Sequence, residues 1–164
     1  MTKEVIRIGI AEFKIAKAPV SLISTGLGSC LGVCLWDPLR KIGGVVHIML
    51  PNSKAARSGQ LHNPAKYADT GIQILRAELI KNGAKDYRLV AKIAGGAQMF
   101  HFPHLQTMAS IGEQNIVAVK KVLEEHKIKL LAEDVGGNHG RSIEFFTRDG
   151  KLFIRSIRKG VKVI

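Results

Sequence analysis

Two apolar runs, residues 31–36 and 42–50, flank Asp37-Pro38-Leu39-Arg40, a turn in which proline presets the backbone. Short runs rich in Val, Ile and Leu, bounded by such a turn, read as an antiparallel hairpin. The pairing has a chemical consequence. Positions 30 and 47 are almost equidistant from a turn centred near 38–39. Cys30, at the start of one strand, is thereby set beside His47 on the other.

Cys30 lies in Thr25-Gly26-Leu27-Gly28-Ser29-Cys30-Leu31-Gly32. A thiol on a glycine-rich turn, with an imidazole brought in from a neighbouring strand, is the minimal kit for thiol nucleophilic catalysis. The thiolate is the attacking species, and a nearby imidazole helps to populate it. Glycines let backbone N–H groups approach a substrate closely, as an oxyanion hole requires. Taken singly, the two residues have plainer readings. A cysteine at a strand edge is commonly a packed core residue, and a histidine among Val45, Val46, Ile48 and Met49 is commonly a satisfied core histidine. The glycine turn favours the chemical reading, because a core cysteine needs no such flanks.

The remaining pattern sets the fold class. Residues 4–15 alternate as a strand, and 20–24 form another after Pro19. Asn63-Pro64 reads as an N-cap with proline at the first helical position. Ala68, Ile72, Leu75 and Leu79 then recur at helical spacing, which predicts a helix over 64–82 stopped by Gly83. A strand follows at 88–93, an irregular segment at 97–110 and a second helix at 111–126. Strands at 128–133, 142–147 and 152–157 close the chain, the last two joined by the tight turn Arg148-Asp149-Gly150-Lys151. The order predicts an α/β (α+β) fold of packed mixed or antiparallel β-sheets flanked by two main helices. No repeat or linker divides residues 1–164, so a single domain is expected.

Composition bounds the function. The chain is 46% hydrophobic and 23% charged, as in a globular protein. No apolar run approaches the ~20 residues needed to span a bilayer, and the N-terminus lacks a signal-peptide core. A cytoplasmic location without membrane insertion is the expectation, and two free thiols suit a reducing compartment. Cys34 reads as a small buried hydrophobe. Net charge is +12, which fits an acidic partner or a solvated lysine-rich surface. No motif that reads nucleic acid accompanies it. Cys30, Cys34, His47, His101 and His104 lack the close cysteine pairs of a zinc site, so no metal is expected. Gly26-Leu27-Gly28 and Gly95-Gly96 do not continue as a phosphate loop. The segment Gly136-Gly137-Asn138-His139-Gly140-Arg141 reads equally as a flexible hairpin loop and as a mobile rim offering Arg141 to an acidic partner.

Ordered blocks along the chain carry a resemblance. They begin with Gly26-Leu27-Gly28-Ser29-Cys30, Trp36-Asp37-Pro38 and Val46-His47-Ile48-Met49-Leu50-Pro51. They continue through Lys66-Tyr67-Ala68-Asp69, residues 92–100, Ile111-Gly112-Glu113-Gln114-Asn115, Asp134-Val135-Gly136-Gly137 and Gly140-Arg141-Ser142. Together they resemble the CheD family of chemoreceptor glutamine deamidases. The resemblance implies a catalytic fold similar to toxin deamidases of the cytotoxic necrotizing factor type. It implies a protein-glutamine glutaminase with Cys30 as nucleophile, His47 as general base and no cofactor. Backbone N–H groups near Gly28, Ser29 and Cys30 would serve as oxyanion donors. A threonine that orients the histidine in the family falls on Ser24, and the adjacent Thr25 is the other hydroxyl available. The implied partners are the chemoreceptor cytoplasmic domain and a CheC-type phosphatase of phosphorylated CheY. The other reading of the same resemblance is a non-catalytic regulator of that phosphatase.

Overall fold

The computed structural model describes residues 3–56, 63–100 and 109–164. Among these residues, ten strands form two five-stranded sheets. The strands are β1 (Val5–Ile8), β2 (Phe13–Lys17), β3 (Ser21–Leu27), β4 (Leu31–Asp37), β5 (Ile42–Ile48), β6 (Val90–Gly95), β7 (Lys129–Val135), β8 (Arg141–Phe146), β9 (Leu152–Ser156) and β10 (Gly160–Val163). The first sheet has the order β1-β3-β8-β9-β10, and the second β2-β5-β4-β6-β7. Each is mixed: β1 runs parallel to β3 and β6 parallel to β7, while every other pair is antiparallel. Helices α1 (Ala68–Lys81) and α2 (Ile111–Glu125) cover one face of the second sheet. This is the mixed α+β class expected, in three layers: helices, sheet, sheet.

Alternation along β4 and β5 builds the layers. Leu31, Val33, Leu35, Val46 and Ile48 point to the helices and pack with Ile72, Leu75, Leu79 and Leu123. Cys34 and Val45 point the other way and meet Leu22, Leu27, Ile143 and Phe145 of the first sheet. β5 is buried throughout its length. Its two glycines let both neighbouring layers approach: a Cβ on Gly43 would lie 2.7 Å from Phe145 Cε1, and one on Gly44 2.6 Å from Leu75 Cδ1.

Three local readings change. The run 4–15 is two strands in different sheets, because a turn at Gly9 and Glu12 interrupts it. The Glu12 N–H donates to the Gly9 carbonyl, and Ala11 adopts φ 57°. The helix expected from Pro64 begins at Ala68. Residues Pro64–Lys66 form a separate 3-10 turn, capped by the Asn63 side chain. Tyr67 is then extended to bridge Leu50. Strand β10 was hidden in the basic tail, since its four residues are all exposed and show no apolar face.

Candidate active site

β4 and β5 pair in the register Leu31↔Ile48 and Gly32↔His47. Residues directly opposite each other share a face, and so do residues two apart on one strand. Cys30 and His47 therefore lie diagonally across the strand pair, on the face toward the first sheet. Such diagonal neighbours sit about 7–8 Å apart at Cα, within reach of side chains. The residue between them on that face is Gly32. A Cβ there would come within 2.5 Å of Ile143 Cδ1 and 3.2 Å of Leu27 Cδ1.

β3 brings the hydroxyl. Ser24 and His47 are both fully buried, and Ser24 Oγ lies 2.9 Å from His47 Nδ1. The same Oγ is 3.1 Å from the carbonyl oxygen of Ile8 on β1. Thr25 points to the opposite face and is exposed. Of the two hydroxyls left open by the sequence, Ser24 is the one that touches His47. Its hydroxyl has a single proton, and the Ile8 carbonyl can only accept. Ser24 then accepts from Nδ1–H, which leaves Nε2 with the lone pair. Nε2 is buried and has no hydrogen-bond partner.

The cysteine turn is held from outside through its carbonyls. The Gly28 carbonyl accepts from Ala97 N–H at 2.8 Å and the Cys30 carbonyl from Gly96 N–H at 2.9 Å. The Ser29 carbonyl accepts from the Asn115 side chain at 2.9 Å. The Gly28 N–H donates to the Gly26 carbonyl at 3.1 Å, so Gly28 drops out of the oxyanion donors expected from the sequence, and the N–H groups of Ser29 and Cys30 are what the turn has to offer a ligand. Gly95 makes the crossing possible: it has φ 117°, and a Cβ there would lie 2.3 Å from the Cys30 carbonyl oxygen. Ser29 also borders a largely apolar cavity of about 450 Å³, with Gln98, Met99, Ile111 and Gly112 among its lining.

Burial sets the resting protonation. It pushes the half-buried Cys30 thiol up, with its own backbone N–H drawing it partly back. It pushes the His47 imidazole down. Both shifts favour a neutral thiol and a neutral imidazole.

Arg141 does not face outward. Its side chain is buried and donates to the carbonyls of Gly95, Asp134 and Gly136, and it lies 3.6 Å from the Asp134 carboxylate. It ties the glycine loop to the end of β6 and leaves no charge for a partner, which overturns the rim reading of that residue. Cys34 is buried between the sheets, its thiol pushed far up by desolvation. His101 and His104 lie outside the described residues. Among the described residues, no cluster of three or more metal-ligating side chains occurs, and no helix is long and apolar enough to cross a membrane.

Sequence reasoning assigned no role to Asn115, although a signal was there. On α2 the buried positions include Gly112, Asn115, Val119, Val122 and Leu123, so Asn115 is an amide on the apolar stripe.

A model of the family described as CheD chemotactic sensory transduction matches residues 49–156. A Syntrophomonas wolfei protein named "Probable chemoreceptor glutamine deamidase CheD" is 50% identical over 161 residues, covering 98% of this chain and 99% of that one. A Caldanaerobacter subterraneus protein of the same name is 47% identical over 164 residues, covering 100% of both. A Halalkalibacterium halodurans protein named "Chemoreceptor glutamine deamidase CheD" is 47% identical over 161 residues, covering 98% and 99%. The crystal structure of Neisseria meningitidis protein NMB0706, of the family DUF152, superimposes with a TM-score of 0.57. It covers 90% of this chain and 76% of that one, and at 10% identity the likeness concerns the fold alone.

Proposed function

The chain belongs to the CheD family, and we propose that it is a protein-glutamine glutaminase that converts glutamine side chains of chemoreceptors to glutamate. The names of the relatives support the substrate. The observation that carries the mechanism is the buried hydrogen bond from His47 to Ser24, which leaves Nε2 free on the face shared with Cys30.

The steps follow from these groups. Cys30 and His47 rest neutral, so His47 Nε2 takes the thiol proton as sulfur attacks the glutamine Cδ. The carbonyl oxygen becomes an oxyanion, met by N–H groups of the turn at Ser29 and Cys30. His47 returns the proton to the amide nitrogen, the C–N bond breaks, and ammonia leaves a thioester on Cys30. Water attacks the thioester with His47 as base, the C–S bond breaks, and the thiol and a glutamate carboxylate are released. Ser24 holds the ring and its tautomer through both halves; Thr25 takes no part. No metal or organic cofactor is invoked.

The test uses a chemoreceptor cytoplasmic fragment incubated with wild type and with Cys30→Ala. Mass spectrometry should find amide-to-acid conversion at particular glutamines with wild type alone. Equal conversion with both proteins, or none with either, refutes the proposal. A cytoplasmic location and a CheC-type phosphatase partner belong to the same proposal. Docking of that phosphatase makes no bond to sulfur, so Cys30→Ala should retain it in a pull-down.

A further inference from the structure

We infer that Asn115 is a positioning residue that fixes the spacing between the nucleophile turn and the strand of His47. The inference rests on the reading of Cys30 and His47 as the reacting pair. Its starting point is where the β4–β5 ladder ends. The last backbone pair is Leu31↔Ile48. Past β5 the chain turns away: the N–H of Leu50, which by strand alternation would face β4, donates instead to the Lys66 carbonyl at 3.1 Å. Cys30 thus sits just past the last backbone rung, where strand ends ordinarily fray.

Asn115 supplies the missing rung from a third element. Its Nδ2 donates to the Ser29 carbonyl at 2.9 Å and to the Met49 carbonyl at 3.0 Å. One carbonyl precedes Cys30; the other lies two residues beyond His47. Both amide protons are thereby used. Oδ1 is buried with no partner. A flipped amide would set Oδ1 against two carbonyl oxygens, so the two acceptors define the orientation. Leaving a buried acceptor unpaired carries a cost. A merely structural helix position would do better with a hydrocarbon, so the amide is retained for its donors. The helix is seated to match. A Cβ on Gly112 would lie 2.4 Å from the Ala97 carbonyl oxygen and 2.5 Å from that of Gly96. Residues Gly96 and Ala97 are the donors that clamp Cys30 and Gly28. One face of α2 therefore gauges both sides of the nucleophile turn and the exit of β5.

The test compares Asn115→Leu, which keeps bulk and removes both donors, with Asn115→Ser, which keeps one donor. The primary readout is the rate of Cys30 alkylation by iodoacetamide near neutral pH, measured in wild-type and His47→Ala backgrounds. With His47 present, Asn115→Leu should slow alkylation and lower kcat roughly 10–100-fold, as a misplacement of about 1 Å does, with KM within about twofold. Asn115→Ser should fall between. In the His47→Ala background, Asn115→Leu should change alkylation by less than about twofold, because there is no alignment left to lose. The same loss in both backgrounds, or unchanged rates with only a lowered unfolding temperature, overturns the inference. If Asn115→Leu does not fold, Asn115→Ser decides by the same criteria. If the wild type deamidates nothing, the alkylation arm still decides on Asn115, so the two failures are separable.

Discussion

Replacing Asp37 by Asn should loosen the closed end of the hairpin that carries Cys30 and His47. The Asp37 carboxylate is fully buried and receives the N–H groups of Leu39, Arg40 and Lys85 at 3.0, 3.1 and 2.8 Å. The Arg88 guanidinium adds contacts at 3.0 and 3.1 Å. Burial pushes this carboxyl up, but Arg88 and the three N–H groups outweigh it and hold it at about 2, from an ordinary 3.8. A depression of that size corresponds to about 2 kcal/mol of stability near neutral pH. Its sign is that of a lowered carboxylate: fully present above 3.8 and lost as pH falls through about 2. Asn also turns an amide N–H toward donors, which adds on the order of 1 kcal/mol. Urea unfolding at neutral pH should therefore show a loss of about 3 kcal/mol, or roughly 10 °C in Tm for a chain of this size. Repeated at falling pH, the gap between wild type and Asp37→Asn should narrow to about 1 kcal/mol once Asp37 is protonated. Taking the difference cancels the titration of groups common to both proteins. A gap that is absent at neutral pH, or that stays constant with pH, would refute the reasoning. Deamidation per folded molecule should not change, because Asp37 lies at the far end of the strand from Cys30.

Three further outcomes test the site. Ser24→Ala should leave His47 Nδ1 unpaired in the interior and lower kcat about 10–100-fold, whereas Ser24→Thr, which keeps the hydroxyl, should stay within about threefold; steady-state deamidation kinetics separate the two. With the imidazole pushed down and the thiol pushed up by burial, the acid limb of kcat/KM should fall below the ordinary histidine value of 6.5. Cys30 alkylation in His47→Ala should correspondingly climb only above the ordinary thiol value of 9.0, which a pH series of iodoacetamide rates measures.

Much of the candidate site was legible because it is local. A proline turn between two apolar runs fixes the hairpin, whose register sets His47 opposite Gly32, two residues from Cys30. Reading Glu4 to Ile15 as one strand failed because alternation continues through a turn that Gly9, Glu12 and a left-handed Ala11 create between sheets. The choice between Ser24 and Thr25 was closed to the sequence, since strand phase depends on which face of β3 meets the other sheet. Arg141 misled because an arginine beside glycines looks exposed, while here loop carbonyls gather around it. Asn115 announced itself as a polar residue on an apolar stripe, but its two acceptors lie 86 and 66 residues away along the chain.

The hydroxyl bonded to His47 takes its own bearing from the Ile8 carbonyl, and the clamp on the Cys30 turn comes from residues near 96 and 115. A chain emerging from the ribosome thus exposes Cys30 long before its supports have been synthesised. Until then nothing in the chain fixes the turn that carries the thiol. Synthesis order therefore delays the site: the turn is held only once α2 has docked, and β8, β9 and β10, three strands of the sheet it faces, follow α2 in the chain.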